Sequence, residues 1–176
     1  GASVDNDVAD IAVVGTDVYI IGDFTTAGGS PAQYIARWDG SAWHALPGTF
    51  DQPGEVLATD GENLYVGGSF TNAGGLPGSY LLRWDGASWS AVGEPLNGGV
   101  TAITTNGGSV YVGGDFTTAG DLAVNGIARW DGAGWSAFGS GANDDVDAIA
   151  VLEGQVYAGG SFDILGGHPS NNFGVW

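Results

Sequence analysis

Residues 110–135 read VYVGGDFTTAGDLAVNGIARWDGAGW and belong to a unit that recurs along the chain every 46 residues. The same spacing relates three sets of identical residues: Arg37, Arg83 and Arg129; Tyr19, Tyr65, Tyr111 and Tyr157; Trp43, Trp89 and Trp135. A fixed period of this length, without slippage, indicates one supersecondary unit repeated along the chain. We therefore expect the residues that recur at every step to be structural.

Each unit contains four short strand-like stretches separated by turn residues. In the first unit these are residues 8–14, 18–24, 34–38 and 42–46, with a Gly/Pro-rich loop over residues 25–33. No apolar period of 3.6 residues is long enough for a helix. Four antiparallel strands in a unit of this length are typical of a β-propeller blade, with a parallel β-helix as the alternative. The predicted fold class is all-β: a β-propeller of four 46-residue, four-stranded antiparallel blades, the last of which lacks its outer strand.

The predicted blades follow the repeat and divide one domain, residues 1–176, at approximately 1–46, 47–92, 93–138 and 139–176. Val175 stands where the earlier repeats have arginine, and no DGxxWxAL segment of an outer strand follows it. An unfilled strand position leaves an unpaired backbone edge that another chain can cover. Three arrangements stay open: a fragment of a longer array, association with other copies, or a four-blade ring in which the two ends meet.

Two stretches of the third unit resemble Kelch-type, galactose-oxidase-like propeller repeats: VYVGGDF at residues 110–116 and IARWDGAGW at residues 127–135. The mark of those repeats is a glycine doublet that ends the second strand, with an aromatic pair downstream. The doublets here are Gly67-Gly68, Gly113-Gly114 and Gly159-Gly160, while the first unit has Ile21-Gly22. The resemblance implies a propeller fold over the whole chain. The resemblance says little about activity, because such propellers include scaffolds, lectin-like binders and a few enzymes.

The charge and composition of the chain restrict the classes of partner that it is expected to bind. The formal net charge is −17, from 20 acidic residues against three arginines. We expect no nucleic-acid partner, because phosphate binding requires a basic face. We expect no membrane insertion, since the sequence has no run of 18 apolar residues. Cysteine is absent, which excludes disulfides and thiolate chemistry within this sequence.

The repeated arginines and tryptophans are predicted to be structural. Each arginine is expected to pair with an acid two residues on (Asp39, Asp85 or Asp131) or in the neighbouring strand (Asp23 or Asp115). The periodic tryptophans are expected to pack between blades rather than to bind sugar. The structural repeat positions are Arg37, Arg83, Arg129, Trp38, Trp84 and Trp130.

No cofactor is expected, and Ca²⁺ is the alternative. Hard oxygen ligands are dense at two equivalent repeat junctions, although neither junction has the DxDxDG spacing of a dedicated calcium loop. The candidate ligands are Asp5, Asp7, Asp144 and Asp145.

The long loops between the second and third strands of each unit differ from one another, and loops on a rigid scaffold often carry recognition. The candidate binding residues there are Pro31, Gln33, Pro77, Ser79, Asn125, His168 and Asn171. His44 and His168 belong to no catalytic motif, so we predict that the protein is not an enzyme. The predicted function is an extracellular or cell-surface propeller module for protein binding or self-assembly through the incomplete last blade. The alternative is a carbohydrate-binding, lectin-like propeller.

Overall fold

The computed structural model describes residues 3–77 and 80–176 of the chain. Within those two ranges the protein forms short β-strands and contains no helix, as the sequence predicts. None of the described segments is therefore a helix long and apolar enough to cross a membrane. Because the strands are rich in β-branched and aromatic residues and are separated by Gly, Asp and Asn turns, a pleated sheet is favoured over a helix throughout.

Each of the first three repeats forms one antiparallel sheet of four strands that are neighbours in the order of the chain. The first sheet contains β1 (Val8–Val14), β2 (Asp17–Gly22), β5 (Ile35–Trp38) and β6 (Trp43–Ala45). The second sheet contains β7 (Gly54–Thr59), β8 (Leu64–Gly68), β11 (Leu81–Trp84) and β12 (Trp89–Ala91). The third sheet contains β13 (Val100–Asn106), β14 (Ser109–Gly114), β17 (Ile127–Trp130) and β18 (Trp135–Ala137).

The fourth repeat forms a sheet of three strands among the described residues. They are β19 (Val146–Leu152), β20 (Gln155–Gly160) and β23 (Phe173–Val175). The prediction that the last blade lacks its outer strand is therefore confirmed for this part of the chain.

The long loops predicted between the second and third strands each contain a further hairpin, and in this respect the prediction was wrong. The eight short strands are β3 (Thr26–Ala27) with β4 (Ser30–Pro31), β9 (Asn72–Ala73) with β10 (Leu76–Pro77), β15 (Thr118–Ala119) with β16 (Leu122–Ala123), and β21 (Ile164–Leu165) with β22 (His168–Pro169). Strands of two residues are too short to show a period of two. Their signal in the sequence is the Gly-Gly or Gly-Asp turn between them.

The glycine doublets mark the place where the first two strands of a sheet separate. In every sheet the register between these strands shifts by one residue near the end of the second strand. At Gly160 a side chain would collide with the main-chain carbonyl of Asp145, so the close approach of the two strands requires glycine. The doublet is thus explained by a β-bulge.

The core contains one phenylalanine from each repeat, directly after the second strand. Phe24, Phe70 and Phe162 are fully buried, and Phe116 retains 1% of its exposure. These phenylalanines were not predicted as core residues, although they recur every 46 residues along the sequence. Burying four such rings removes about 150–250 Å² of surface per ring from water.

The chain is organised as two compact units, Gly1–Ala91 and Val92–Trp176, each with two repeats. In the first unit β1 packs beside β7, and the main-chain N–H of Leu57 donates a 2.7 Å hydrogen bond to Asp10 Oδ2. In the second unit β13 packs beside β19, and Thr101 Oγ1 donates a 2.8 Å hydrogen bond to the carbonyl of Val146. Neighbouring sheets within a unit are therefore joined through their first strands.

Candidate functional site

The outer edge of β23 has no partner strand among the described residues. Val156 and Trp176 exchange two main-chain hydrogen bonds of 2.8 Å, so they form a hydrogen-bonded pair of the antiparallel ladder. Because such pairs alternate with pairs that are not hydrogen-bonded, the N–H and C=O of Val175 point to the opposite side, away from β20. In the complete sheets the same positions, Arg37, Arg83 and Arg129, lie opposite residues of the fourth strand.

The side chains at this edge are apolar and partly exposed. Phe173 retains 60% of its exposure, and Val175 and Trp176 each retain 47%. The Trp176 ring meets Phe138 edge-on, with ring centroids 6.1 Å apart, and it also covers Gly166 in the β21–β22 turn. No residue of β23 is charged, so the edge lacks the lysines and prolines that usually protect exposed strands.

Each junction between repeats is fastened by one side chain that reaches the following hairpin. Asp51 accepts hydrogen bonds from the main-chain N–H groups of Thr71 and Asn72, both at 3.0 Å, and from Thr71 Oγ1 at 2.7 Å. Asp5, Asn97 and Asn143 make equivalent contacts, 20 and 21 residues along the chain. We call these four residues the junction clamps. Their sequence signal is an Asp or Asn repeated every 46 residues.

The calcium candidates do not form one site. Asp5 is a junction clamp, and the hydrogen bonds from Thr25 and Thr26 lower its pKa to about 2. Asp7 receives the main-chain N–H of Asp23 on its own carbonyl oxygen, at 3.0 Å. Within the described residues, no group of three or more His, Cys, Asp or Glu side chains is placed to hold a metal ion.

Asp144 and Asp145 lie in a crowded acidic region of the second unit. Asp144 Oδ1 accepts the main-chain N–H of Asp145 at 2.9 Å. Desolvation raises the pKa of Asp145, and the charges of Asp144, Asp115 and Asp147 raise it further. Asp115, Asp144 and Asp145 line a cavity of about 570 Å³ together with Asn125.

For Arg37 the expected acidic partner was wrong, whereas the charges of Arg83 and Arg129 do help to lower the pKa of Asp85 and Asp131, the acids two residues on. Arg37 Nη1 lies 3.1 Å from Asp17 Oδ2 on β2, not beside Asp39 or Asp23. In the third repeat Arg129 Nε donates to Ser109 Oγ at 3.1 Å, and its guanidinium lies over Tyr111, 5.9 Å from the ring centroid. Because Ser109 stands where the first repeat has Asp17, the ion pair is not repeated.

The acids that follow the arginines organise the turn of the outer hairpin instead. Asp39 Oδ1 accepts the main-chain N–H groups of Ser41 and Ala42, each at 2.8 Å, and Oδ2 lies 2.7 Å from Nε2 of His44. The hydrogen bond from Ala42 is the leading reason that the pKa of Asp39 is lowered. Backbone donors in the same turn likewise lower the pKa of Asp85 and Asp131.

The repeated tryptophans pair within the outer hairpin of their own sheet. The Trp38–Trp43, Trp84–Trp89 and Trp130–Trp135 ring centroids are 5.5, 5.0 and 5.5 Å apart, and each pair is tilted. Two of these tryptophans also bond a preceding junction: Trp89 Nε1 donates to the Pro47 carbonyl at 2.8 Å, and Trp135 Nε1 donates to the Glu94 carbonyl at 2.9 Å.

The predicted binding residues are distributed over separate hairpins. Pro31, Pro77 and His168 are exposed on β4, β10 and β22, and Gln33 and Asn171 are exposed just beyond two of these strands. Ser79 lies outside the described residues.

Asn125 adopts a φ of +44° and donates from Nδ2 to the Ser140 carbonyl at 2.8 Å. Among the described members of the predicted binding set, Asn125 alone lines the 570 Å³ cavity with Asp144 and Asp145.

A larger groove in the third repeat was not predicted from the sequence. It has a volume of about 820 Å³ and is lined by Glu94, Asp121, Leu122, Trp130 and Trp135, among others. Its two acids stand where the other repeats have small residues. That departure from the repeat is the signal in the sequence that could have revealed it.

Comparison with known proteins supports the fold. The structure is similar to the crystal structure of the computationally designed Ika8 protein, with a TM-score of 0.60 and 15% sequence identity. The match covers 96% of this chain and 45% of the designed chain, so this chain spans less than half the length of that protein. No model of a known protein family matches the sequence, and no curated protein matches it. The repeated sheets and this similarity establish an all-β fold of propeller blades.

Proposed function

We propose that the chain is a non-catalytic propeller module that associates through the outer edge of β23, in an extracellular or cell-surface setting. The observation that carries the proposal is the main chain of Val175, whose N–H and C=O face outward with no strand beside them among the described residues. An extended chain that pairs there gains main-chain hydrogen bonds and covers the exposed Phe173 and Val175 side chains.

A second copy of this chain is the proposed occupant. Two β23 strands that run antiparallel about a two-fold axis would let Val175 of each copy exchange N–H···O=C bonds with Val175 of the other. The edge is short, and each copy has a net charge of −17, which opposes association. The expected dimer is therefore weak and is favoured by salt, which screens the repulsion.

The repeats are further proposed to be of the Kelch type. Support comes from the glycine doublets that end β8, β14 and β20 and from the tryptophan pair of each outer hairpin. Carbohydrate binding is kept as the second candidate function, because indole rings are partly exposed in the groove of the third repeat.

The first test compares Val175→Pro with Val175→Ala. Proline removes the outward N–H without breaking a hydrogen bond to β20, whereas alanine keeps that N–H and shortens the side chain. We expect sedimentation equilibrium up to about 1 mM protein to show a dimer for the parent chain and a weaker dimer for Val175→Ala. Val175→Pro should be monomeric and retain the far-UV spectrum of the parent.

The second test supplies the outer strand within the chain. Extending the chain after Trp176 with a copy of residues 131–138, DGAGWSAF, should fill the edge, raise the unfolding temperature and abolish dimerisation. The matched control carries prolines in place of the tryptophan and second alanine of the extension, and it should behave as the parent. A parent chain that stays monomeric at about 1 mM and about 0.5 M salt overturns the proposal. The proposal is also overturned if the DGAGWSAF extension leaves the dimer unchanged.

A further inference from the structure

The groove of the third repeat is formed where the junction before β13 meets the β15–β16 hairpin and the outer hairpin. The main-chain N–H of Gly120 donates to the Pro95 carbonyl at 2.8 Å, and Trp135 Nε1 donates to the Glu94 carbonyl at 2.9 Å. These bonds fix the groove wall on three segments of one unit. The resulting volume of about 820 Å³ suits a small organic ligand.

Two acids of the groove interrupt the repeat. Asp121 stands where the other repeats have Gly29, Gly75 and Gly167, and Glu94 stands where they have Ala2, Gly48 and Ser140. Positive φ occurs at both turn residues in the other three hairpins but at Gly120 alone in this one. The third hairpin therefore has a different turn type, which accommodates a side chain at residue 121.

The tryptophan of the outer strand is also placed differently in this repeat. In the first two repeats a methyl group on the turn glycine would lie 2.9 Å from Trp43 Cδ1 or 2.5 Å from Trp89 Cγ, so these rings cover the turn. In the third repeat a methyl group on Gly120 would instead lie 2.8 Å from Glu94 Cβ. The stem of Glu94 thus takes the place of the indole, and Trp135 lines the groove.

The chemistry of the wall favours a cation with an apolar body. Trp130 and Trp135 are half-buried, with ring centroids 5.5 Å apart and planes inclined at 55°. The side chains of Glu94 and Asp121 are exposed, and no basic side chain lines the groove among the described residues. Indole faces attract alkylated ammonium groups through their quadrupole, and the two carboxylates add charge complementarity.

We propose that the groove formed by Glu94, Asp121, Trp130 and Trp135 binds a small quaternary or alkylated ammonium ligand. This site uses none of the residues at the β23 edge, so it stands independently of the association proposed above. The other three repeats lack the acid pair, and one site per chain is expected.

The test uses choline and its neutral carbon isostere, dimethylbutanol. Titration of the full chain is followed by the NMR signal of the Trp135 indole N–H, assigned with Trp135→Phe. We expect choline to shift this signal with saturation, the isostere to bind at least about tenfold more weakly, and rising salt to weaken choline binding.

Amino-acid substitutions distinguish the loss of a charge in the groove from the loss of folding. Glu94→Gln and Asp121→Asn keep the shape of each side chain and should each weaken choline binding by about tenfold, with the double variant non-binding. Glu153→Gln removes an acid from the β19–β20 turn, outside the groove, and should keep parental affinity. Unfolding temperatures close to that of the parent confirm that each variant is folded.

Several results would overturn the assignment. The proposal fails if choline produces no saturable shift of the Trp135 indole signal. It also fails if dimethylbutanol binds as well as choline. A methyl glycoside that shifts the Trp135 signal while choline does not would show that the groove takes a neutral sugar. Choline binding that survives the double variant would place the ligand elsewhere.

Discussion

Trp176 covers Gly166 in the β21–β22 turn, in the way that Trp43 covers Gly28 and Trp89 covers Gly74. By repeat position, however, Trp176 corresponds to Trp38, the inner member of the tryptophan pair. In the fourth repeat Trp176, which by repeat position belongs with the third strand, therefore supplies the packing that the outer strand supplies in the first two repeats. The apolar contact is kept, while the main-chain edge stays open.

We expect Gly166→Ala to destabilise the protein more than Gly154→Ala does. Both glycines have positive φ, +60° and +81°, so both variants carry the cost of a left-handed alanine, about 1–2 kcal/mol. At Gly166 the new methyl group also displaces Trp176, whereas at Gly154 it enters open space. Urea unfolding followed by tryptophan fluorescence measures the difference, and equal losses in the two variants would contradict the contact.

The junction clamps predict an asymmetry between two substitutions of Asp51. Asp51→Asn should leave the unfolding temperature nearly unchanged, because Asn97 makes the same contacts in the third repeat: Oδ1 accepts two N–H groups and Nδ2 donates to Thr117 Oγ1 at 2.8 Å. Asp51→Ala leaves the N–H groups of Thr71 and Asn72 without that acceptor and should lower the unfolding temperature by several degrees. Calorimetry on the two variants tests this, and equal behaviour would show that the clamp is not needed.

The clamps also predict part of the acid sensitivity. The pKa of Asp5 is lowered from 3.8 to about 2, chiefly by the hydroxyl of Thr25 and then by the N–H of Thr26. A lowered pKa in the folded state means that the contribution to stability is complete above about pH 4 and is lost as the pH falls toward 2. Asp5→Asn removes this contribution to the pH dependence. The stability difference between parent and variant should therefore shift in favour of the variant across that window, as measured by urea midpoints. A difference that is constant with pH would refute the assignment.

The architecture was predictable because its signals are periodic. Strand order and the sheet of three strands in the fourth repeat both follow from a unit that repeats every 46 residues. Phe116 carries the same periodic signal and was equally predictable, although it was not singled out.

Side-chain contacts between residues on different strands were harder to predict than the architecture. Arg37 shares a face with Asp39 along its own strand, yet it pairs with Asp17 because the antiparallel register sets Arg37 opposite Tyr19, near the start of β2. The carboxylate of Asp39 instead accepts the turn N–H groups of Ser41 and Ala42. A sequence gives the spacing of such residues but not the competition between donors for one acceptor.

The candidate sites were predictable only in part. The open edge follows from the repeat frame, whereas the groove in the third repeat depends on how the Glu94 stem replaces an indole over Gly120. That exchange involves three segments separated along the chain. Asp121 and Glu94 stand out as departures when the four repeats are aligned position by position, but the cavity between them does not.

Asp145 provides a test of electrostatic strain. Its pKa is raised by desolvation first and then by the charges of Asp144, Asp115 and Asp147, so its charged form costs stability in the folded protein. We expect Asp145→Asn to raise the unfolding temperature at pH 7. The gain should shrink as the pH falls through the carboxyl range, because the parent then becomes neutral at this residue as well.

The matched control for this effect is Glu62→Gln, which removes one charge from an exposed turn without touching the acidic cavity. A gain at Asp145 that exceeds the gain at Glu62, and that declines when salt screens the neighbouring acids, assigns the strain to the local cluster. Equal gains in the two variants would instead assign the electrostatic destabilisation to the net charge of −17 spread over the whole chain. Asp145 would then destabilise the folded protein no more than any other acid.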